Sequence, residues 1–269
     1  DPVSTHTTNI IGTLNVLESL ASLKNNCISI FVTSDKCYEN NEWLWGYRES
    51  DRLGGRDPYS ASKAMAEMAI RAYVDSYFGS SNSKVRLGIA RAGNVIGGGD
   101  WANDRIVVDC MKSWSADGAV EIRNPDATRP WQHVLEPLSG YLSLGGHLAE
   151  DSASHGEAYN FGPPGNQDYS VRELINSMKN HWGNVRWHDL SSKETSMHEA
   201  SLLKLNCDKA LLMLGWSPTM NFEETVRMTV EWYKEFYEGD GETMATKSLE
   251  QIVDYTELAR KRGVSWACA

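Results

Sequence analysis

Residues 28–33, Ile28-Ser29-Ile30-Phe31-Val32-Thr33, form a short, nearly all apolar and β-branched run that stops abruptly at Ser34-Asp35-Lys36. Such a run suits a strand buried on both faces, as in a parallel sheet covered by helices, and this constrains the fold more than any other feature. The polar triplet then lies at the strand's carboxyl end, where ligands bind in open α/β sheets. A second run, Val85 to Ala90, ends in Arg91-Ala92-Gly93-Asn94 and is followed by the turn Gly97-Gly98-Gly99-Asp100. Between the two runs, Asp57-Pro58 marks a helix start, because proline tolerates the first helical position. Ala61, Ala64, Met65, Met68, Ala69, Ala72 and Tyr73 predict that this helix runs from Tyr59 to about Phe78 with a small, apolar stripe. Upstream, Ile10, Leu14, Leu17 and Ala21 recur at helical spacing after a Ser/Thr-rich start that can cap free amides, predicting a helix over residues 5–23. Helix, strand, helix, strand in this order is the later half of a doubly wound parallel α/β sheet.

Beyond Asp100 the elements become shorter and mixed, as in a smaller lobe. The pattern predicts a helix near Ile106 to Trp114, a strand Val120 to Arg123, and a helix around Pro137 to Ala149 after Arg129-Pro130-Trp131-Gln132-His133-Val134. A strand and turn at Tyr159-Asn160-Phe161-Gly162 follow, then a helix capped by Ser170 and running to Trp182, and a strand at Val185 to His188. Two further helices are predicted, Phe222 to Tyr237 and Lys247 to Arg262.

The chain has 269 residues, enough to bury a sizeable core. Its formal net charge of −10 argues against broad nucleic-acid binding, which needs clustered Lys and Arg. No apolar run approaches the ~20 residues that span a bilayer, so no membrane partner is expected. Five scattered cysteines, Cys27, Cys37, Cys110, Cys207 and Cys268, lack CxxC spacing and indicate neither a disulfide framework nor a metal site. A reducing cytoplasm is the expected location.

Tyr59 and Lys63 lie four apart on the predicted helix, so both project from one face, and an adjacent ammonium favours the phenolate. The spacing alone also fits a surface tyrosine beside a solvated lysine. Its neighbours decide the weight: Val32-Thr33-Ser34-Asp35-Lys36-Cys37-Tyr38 before it, and Arg91-Ala92-Gly93-Asn94-Val95-Ile96-Gly97-Gly98-Gly99-Asp100-Trp101 and Arg129-Pro130-Trp131-Gln132-His133-Val134 after it. On these segments the chain resembles the extended short-chain dehydrogenase/reductase family acting on nucleotide sugars, and within it the 4,6-dehydratases that take CDP-glucose. His198-Glu199-Ala200 and Leu214-Gly215-Trp216 extend the likeness.

The resemblance implies a Rossmann-type sheet, NAD as cofactor, a nucleotide-sugar substrate and a homodimer. It implies that Tyr59, helped by Lys63 and hydrogen-bonded through Ser34, removes the 4-hydroxyl proton while NAD takes the carbon-4 hydride. Lys36 then takes the carbon-5 proton, Asp35 protonates the departing 6-hydroxyl, and the hydride returns to carbon 6. Related dTDP-glucose dehydratases have glutamate where this chain has Lys36. A lysine base must first lose a proton from a reference pKa of about 10.4, which requires burial or nearby positive charge. Asn9, Thr33, Tyr59, Lys63 and Arg91 are the implied cofactor residues. Asn94, Arg129, His133, His198 and Glu199 are the implied substrate residues, Arg129 as a guanidinium able to grip diphosphate oxygens bidentately.

With the resemblance, residues 1–94 read as the later part of a dinucleotide-binding domain, with a return segment at about 130–162. Residues 95–129 and 163–269 read mainly as the substrate-binding lobe and carboxyl-terminal helices. No GxGxxG turn follows a first strand, so the sheet is expected to lack its opening strands, with about a hundred family residues preceding the position of Asp1. Two other readings stay open. One is a nucleotide-sugar 4-epimerase, which shares Ser34, Tyr59 and Lys63 but does not need Asp35 and Lys36. The other is a non-catalytic piece that binds nucleotide sugar or dimerises.

Overall fold

The computed structural model describes residues 1–79, 83–191, 202–239 and 244–268. Helix α1 (Pro2–His6) passes through a π-helical turn (Thr7–Ile11) into α2 (Gly12–Ala21), then come β1 (Cys27–Val32) and a 3₁₀ turn (Asp35–Cys37). Helix α3 (Pro58–Tyr73) continues through a second π turn (Val74–Phe78) to β2 (Val85–Ala92) and β3 (Val95–Ile96). Next are α4 (Ile106–Ser115), β4 (Val120–Ile122), β5 (Thr128–Arg129), β6 (Gln132–His133), α5 (Leu135–Glu150) and β7 (Ala158–Phe161). The chain ends with β8 (Tyr169–Ser170), α6 (Val171–Trp182), β9 (Trp187–Asp189), α7 (Asp208–Leu214), α8 (Phe222–Glu238), α9 (Met244–Lys261) and α10 (Ser265–Cys268).

Two compact units result. The first comprises Asp1–Gly93, Pro137–Gly162 and Leu203–Ser217. Its sheet is parallel in the order β1-β2-β7, with Ile30 beside Gly88 and Arg91 beside Asn160. Alternation along β2 sends Leu87 and Ile89 into a core with Leu17, Leu20, Ile70 and Phe78, from the helices on one face. Gly88 points the other way, where an added Cβ would meet the side chains of Leu144 and Leu148 on α5. Helices therefore cover both faces of the central strand, which is why β2 is apolar almost throughout. This is the Rossmann-type arrangement expected of the sequence.

Several local details differ from expectation. The first helix begins at Pro2, capped by the Asp1 carboxylate rather than by Ser or Thr, and ends at Ala21. The expected return segment at 130–162 joins this unit only from Pro137. Residues 203–217, expected in the smaller lobe, belong here instead: Tyr47 N donates to Lys204 O at 2.8 Å and Asn160 Nδ2 to Asn206 O at 3.1 Å. Helix α7 within that stretch was not anticipated; its seven residues are too short for a clear periodic signal.

The second unit comprises Asn94–Glu136, Pro163–Leu202 and Pro218–Ala269. Helices α4, α6 and α8 pack Met111, Trp114, Leu174, Met178, Val226 and Tyr233 into one core with Val120 and Ile122 of β4. Its strands are short and paired in twos: β3 with β6, β4 with β9, and β5 antiparallel to β8. Ser170 caps α6 as expected, in a capping box with Glu173. Glu136 is buried in this unit and accepts from Thr219 N, Met220 N and Tyr255 Oη at 2.9, 2.6 and 2.9 Å. No helix among the described residues is long and apolar enough to cross a membrane.

Candidate active site

At the carboxyl end of β1 the chain leaves the sheet and tightens into the 3₁₀ turn. Ser34 caps it, its Oγ accepting from Lys36 N at 3.2 Å and donating to Asp35 Oδ1 at 3.0 Å. Ser34 and Asp35 are buried, whereas Lys36 is exposed. Glycine is required at position 93 because a Cβ there would overlap the Asp35 carboxylate. The ends of β1 and β2 thus meet at the acid that the sequence singled out.

Helix α3 packs against this turn. Asp57 caps it, accepting from Tyr59 N and Ser60 N at 2.9 and 3.0 Å and from Ser60 Oγ. Burial opposes the Asp57 carboxylate, but those hydrogen bonds and the charge of Lys36 hold it below the usual carboxylate range. Tyr59, in the first turn, is 41% exposed. Lys63 follows one turn later, half-buried, with Nζ 5.9 Å from the Tyr59 ring centroid. Burial pushes the Lys63 amine down, and the charge of Glu67 partly offsets this.

Of the expected cofactor residues, Asn9 lies in the first π turn and its Nδ2 donates to Ser62 Oγ at 2.9 Å. Ser62 Oγ in turn donates to the Tyr59 carbonyl at 2.7 Å, so Asn9 braces the turn that carries the tyrosine. Thr33 Oγ1 donates to Glu67 Oε1 at 2.6 Å. Arg91 departs from expectation. It is fully buried, with Nε on both Glu67 oxygens, Nη2 on Glu67 Oε2, and Nη1 on Tyr38 Oη and the Glu49 carbonyl at 2.6 and 3.2 Å. With all three nitrogens on protein acceptors inside the core, Arg91 holds the unit together and does not present itself to a ligand.

The expected substrate residues Asn94, Arg129 and His133 fall in the second unit. Asn94 adopts a left-handed φ of 53°, and its carbonyl accepts from Gln132 N at 3.2 Å. Arg129 is half-buried in the β5–β8 pair, with Nη1 donating to the Thr128 carbonyl at 2.7 Å. His133 is buried rather than presented to a ligand; Nδ1 accepts from Leu135 N at 3.3 Å, and burial holds its imidazole down at about 4. His198 and Glu199 lie outside the described residues. Sequence reasoning missed Glu67, Tyr38, Glu49 and Asn160, which knit the floor of the site. Only Glu67 carried a signal, standing one further helical turn beyond Lys63.

The family description GDP-mannose 4,6 dehydratase matches residues 1–229. The chain belongs to this family. CDP-glucose 4,6-dehydratase of Salmonella typhimurium is 43% identical over 258 residues, covering 94% of this chain and 71% of the relative. dTDP-glucose 4,6-dehydratase of Escherichia coli is 23% identical over 248 residues, covering 84% and 65%. Among solved structures, dTDP-glucose 4,6-dehydratase from Bacillus anthracis in complex with NAD matches with a TM-score of 0.70 at 21% identity, covering 89% of this chain and 71% of that one. UDP-glucose 4-epimerase from Thermotoga maritima gives 0.72 at 22% identity, covering 87% and 72%. At these identities the solved structures show the fold the family members share.

Proposed function

We propose that the protein catalyses the NAD-dependent 4,6-dehydration of a nucleotide sugar, CDP-D-glucose, to CDP-4-dehydro-6-deoxy-D-glucose and water. The observation that carries the reading is Asp35, a buried carboxylate at the carboxyl end of β1, in a turn packed against the helix that bears Tyr59 and Lys63. A base pair alone serves oxidation at carbon 4, whereas water loss also needs an acid at the departing 6-hydroxyl and a base at carbon 5. The 43% identity to a CDP-glucose 4,6-dehydratase supports the choice of nucleotide.

Tyr59, as phenolate favoured by the Lys63 ammonium, takes the 4-hydroxyl proton, and Ser34 Oγ hydrogen-bonds the same oxygen. Asp35 gives its proton to the departing 6-hydroxyl, and Lys36 takes the carbon-5 proton. NAD, when bound, supplies a hydride acceptor at carbon 4 and a donor at carbon 6. The residues present fit such a cofactor: a half-exposed tyrosine and half-buried lysine stand on a helix next to the carboxyl end of a parallel strand, the usual place for a dinucleotide. Tyr59, Lys63, Thr33 and Asn9 are the cofactor-side residues, Arg91 acting only from behind. Asn94, Arg129, His198 and Glu199 are assigned to the substrate, with Arg129 on the diphosphate.

We further propose a homodimer formed through the first helices and α3, where Val16, Met65 and Met68 leave 49, 46 and 63% of their surface exposed. The free cysteines support a reducing compartment, the cytoplasm. The test is incubation with NAD and CDP-glucose, followed by mass analysis and proton NMR of the sugar nucleotide. Loss of one water, abolished by Lys36→Met, is expected. Conversion to an isomer of unchanged mass would instead establish an epimerase.

A further inference from the structure

Tyr59, Lys63 and Glu67 stand at i, i+4 and i+8 on α3, so they share one face, and along it exposure falls from 41% at Tyr59 to none at Glu67. Glu67 is the sealed end of the stripe. It accepts from Thr33 Oγ1 just beyond β1 and from Arg91 on β2. Arg91 passes the connection on to Tyr38 Oη, which donates to Asn160 Oδ1 of β7 at 2.8 Å. One carboxylate therefore ties the middle of α3 to the ends of all three strands of this unit's sheet.

Stability alone does not call for charges here. A buried ion pair roughly breaks even with apolar side chains of similar volume, because desolvating both groups offsets their attraction. The charge acquires a purpose only through a third group, and Lys63 is the cation one helical turn away. We propose that Glu67 is a positioning residue for the Tyr59/Lys63 pair: it fixes α3 on the strand ends and keeps the Lys63 ammonium charged inside a site that disfavours charge. The second half of this statement rests on the dehydratase reading for its consequence, but not for its measurement.

Burial lowers the Lys63 amine and the charge of Glu67 raises it. Titratable or charged groups on the other elements packed against α3 are Asp35, Lys36 and Cys37 in the 3₁₀ turn, His6 on α1, Glu18 on α2 and Asp75 and Tyr77 in the second π turn, with Arg91 reaching Glu67 from β2. Removing the Glu67 charge while these stay leaves burial unopposed, so Lys63 loses its proton at lower pH. A neutral Lys63 no longer favours the Tyr59 phenolate, and the acid limb of the rate profile moves to higher pH. On that limb the rate falls about tenfold for each unit moved.

Two measurements on the protein with NAD separate this from a purely structural role. Competitive labelling of Lys63 with an amine reagent across pH, read by mass spectrometry of its peptide, needs no turnover. Glu67→Gln is expected to make Lys63 reactive at lower pH, and Glu67→Asp to restore the wild-type labelling curve. The paired variant E67L/R91M, which leaves no lone buried charge, guards against a Glu67→Gln protein that does not fold; because the Arg91 cation goes with the Glu67 anion, it is expected to shift labelling in the same direction but by less. The pH–rate profile with CDP-glucose should move oppositely, its acid limb rising. Unchanged labelling in a folded variant lacking the Glu67 charge overturns the inference. Shifted labelling with no turnover in the wild type overturns the dehydratase reading and leaves the Glu67 inference standing.

Discussion

Replacing Arg91 by Met puts the heaviest load on the account of the sheet ends. Both members of the Arg91–Glu67 pair are fully buried. Arg91→Met leaves the Glu67 carboxylate in the core with only the Thr33 hydroxyl as a donor among the described residues, and breaking a buried pair from one side costs about 3–5 kcal/mol. For a chain of this size that corresponds to a fall in thermal midpoint of roughly 10 °C. In E67L/R91M the lone charge is gone. Tyr38 Oη keeps Asn160, and the Thr33 hydroxyl retains only a long contact of 3.5 Å to the Ala90 carbonyl, while the Glu49 carbonyl loses the Arg91 donor. Those residual losses amount to about 1–2 kcal/mol. The double variant should therefore melt several degrees above Arg91→Met in calorimetry or far-ultraviolet circular dichroism. A double variant that melts at or below the single one would mean that the penalties simply add, and the pair would not be the tie between α3 and β2 described here.

Other expectations follow from the same geometry. Gly93→Ala drives a methyl into the Asp35 carboxylate and should lower product formation by roughly 10²-fold, with a stability loss of only about 1–3 kcal/mol; normal turnover in that variant would remove Asp35 from the acid role. Glu136→Leu leaves Thr219 N, Met220 N and Tyr255 Oη without their carboxylate acceptor and should cost about 3–5 kcal/mol in thermal unfolding, whereas Glu136→Gln, which keeps one carbonyl oxygen for two of the donors, should cost less than half as much.

Much of the fold was legible because burial on both faces leaves a continuous apolar run, and Ile28–Thr33 and Val85–Ala90 anticipated β1 and β2 to within two residues. Asp57-Pro58 likewise announced α3 through cap chemistry that is local in sequence. The candidate site was legible where its residues sit in one stretch: Ser34, Asp35 and Lys36 share a turn, and Tyr59 and Lys63 share a helix face. Long-range pairing was not. Arg91 looked like a ligand-facing residue at a strand end, because nothing near it in sequence reveals that Glu67, 24 positions earlier, takes its guanidinium inside the core. The burial of His133 was hidden for a similar reason, since it depends on how β3 pairs with β6. The two π turns were invisible because a single extra residue in a helical turn leaves the apolar spacing almost unchanged.

The central claim is that hydrogen leaves carbon 4 and returns to carbon 6 of the same sugar while Asp35 and Lys36 manage the loss of water. Incubation of CDP-glucose deuterated at carbon 4 with the protein and NAD, followed by NMR of the product, follows that atom directly. Deuterium in the new methyl group at carbon 6, with a solvent-derived hydrogen at carbon 5, is the predicted result. Deuterium retained at carbon 4 of a sugar that has lost no water would contradict it.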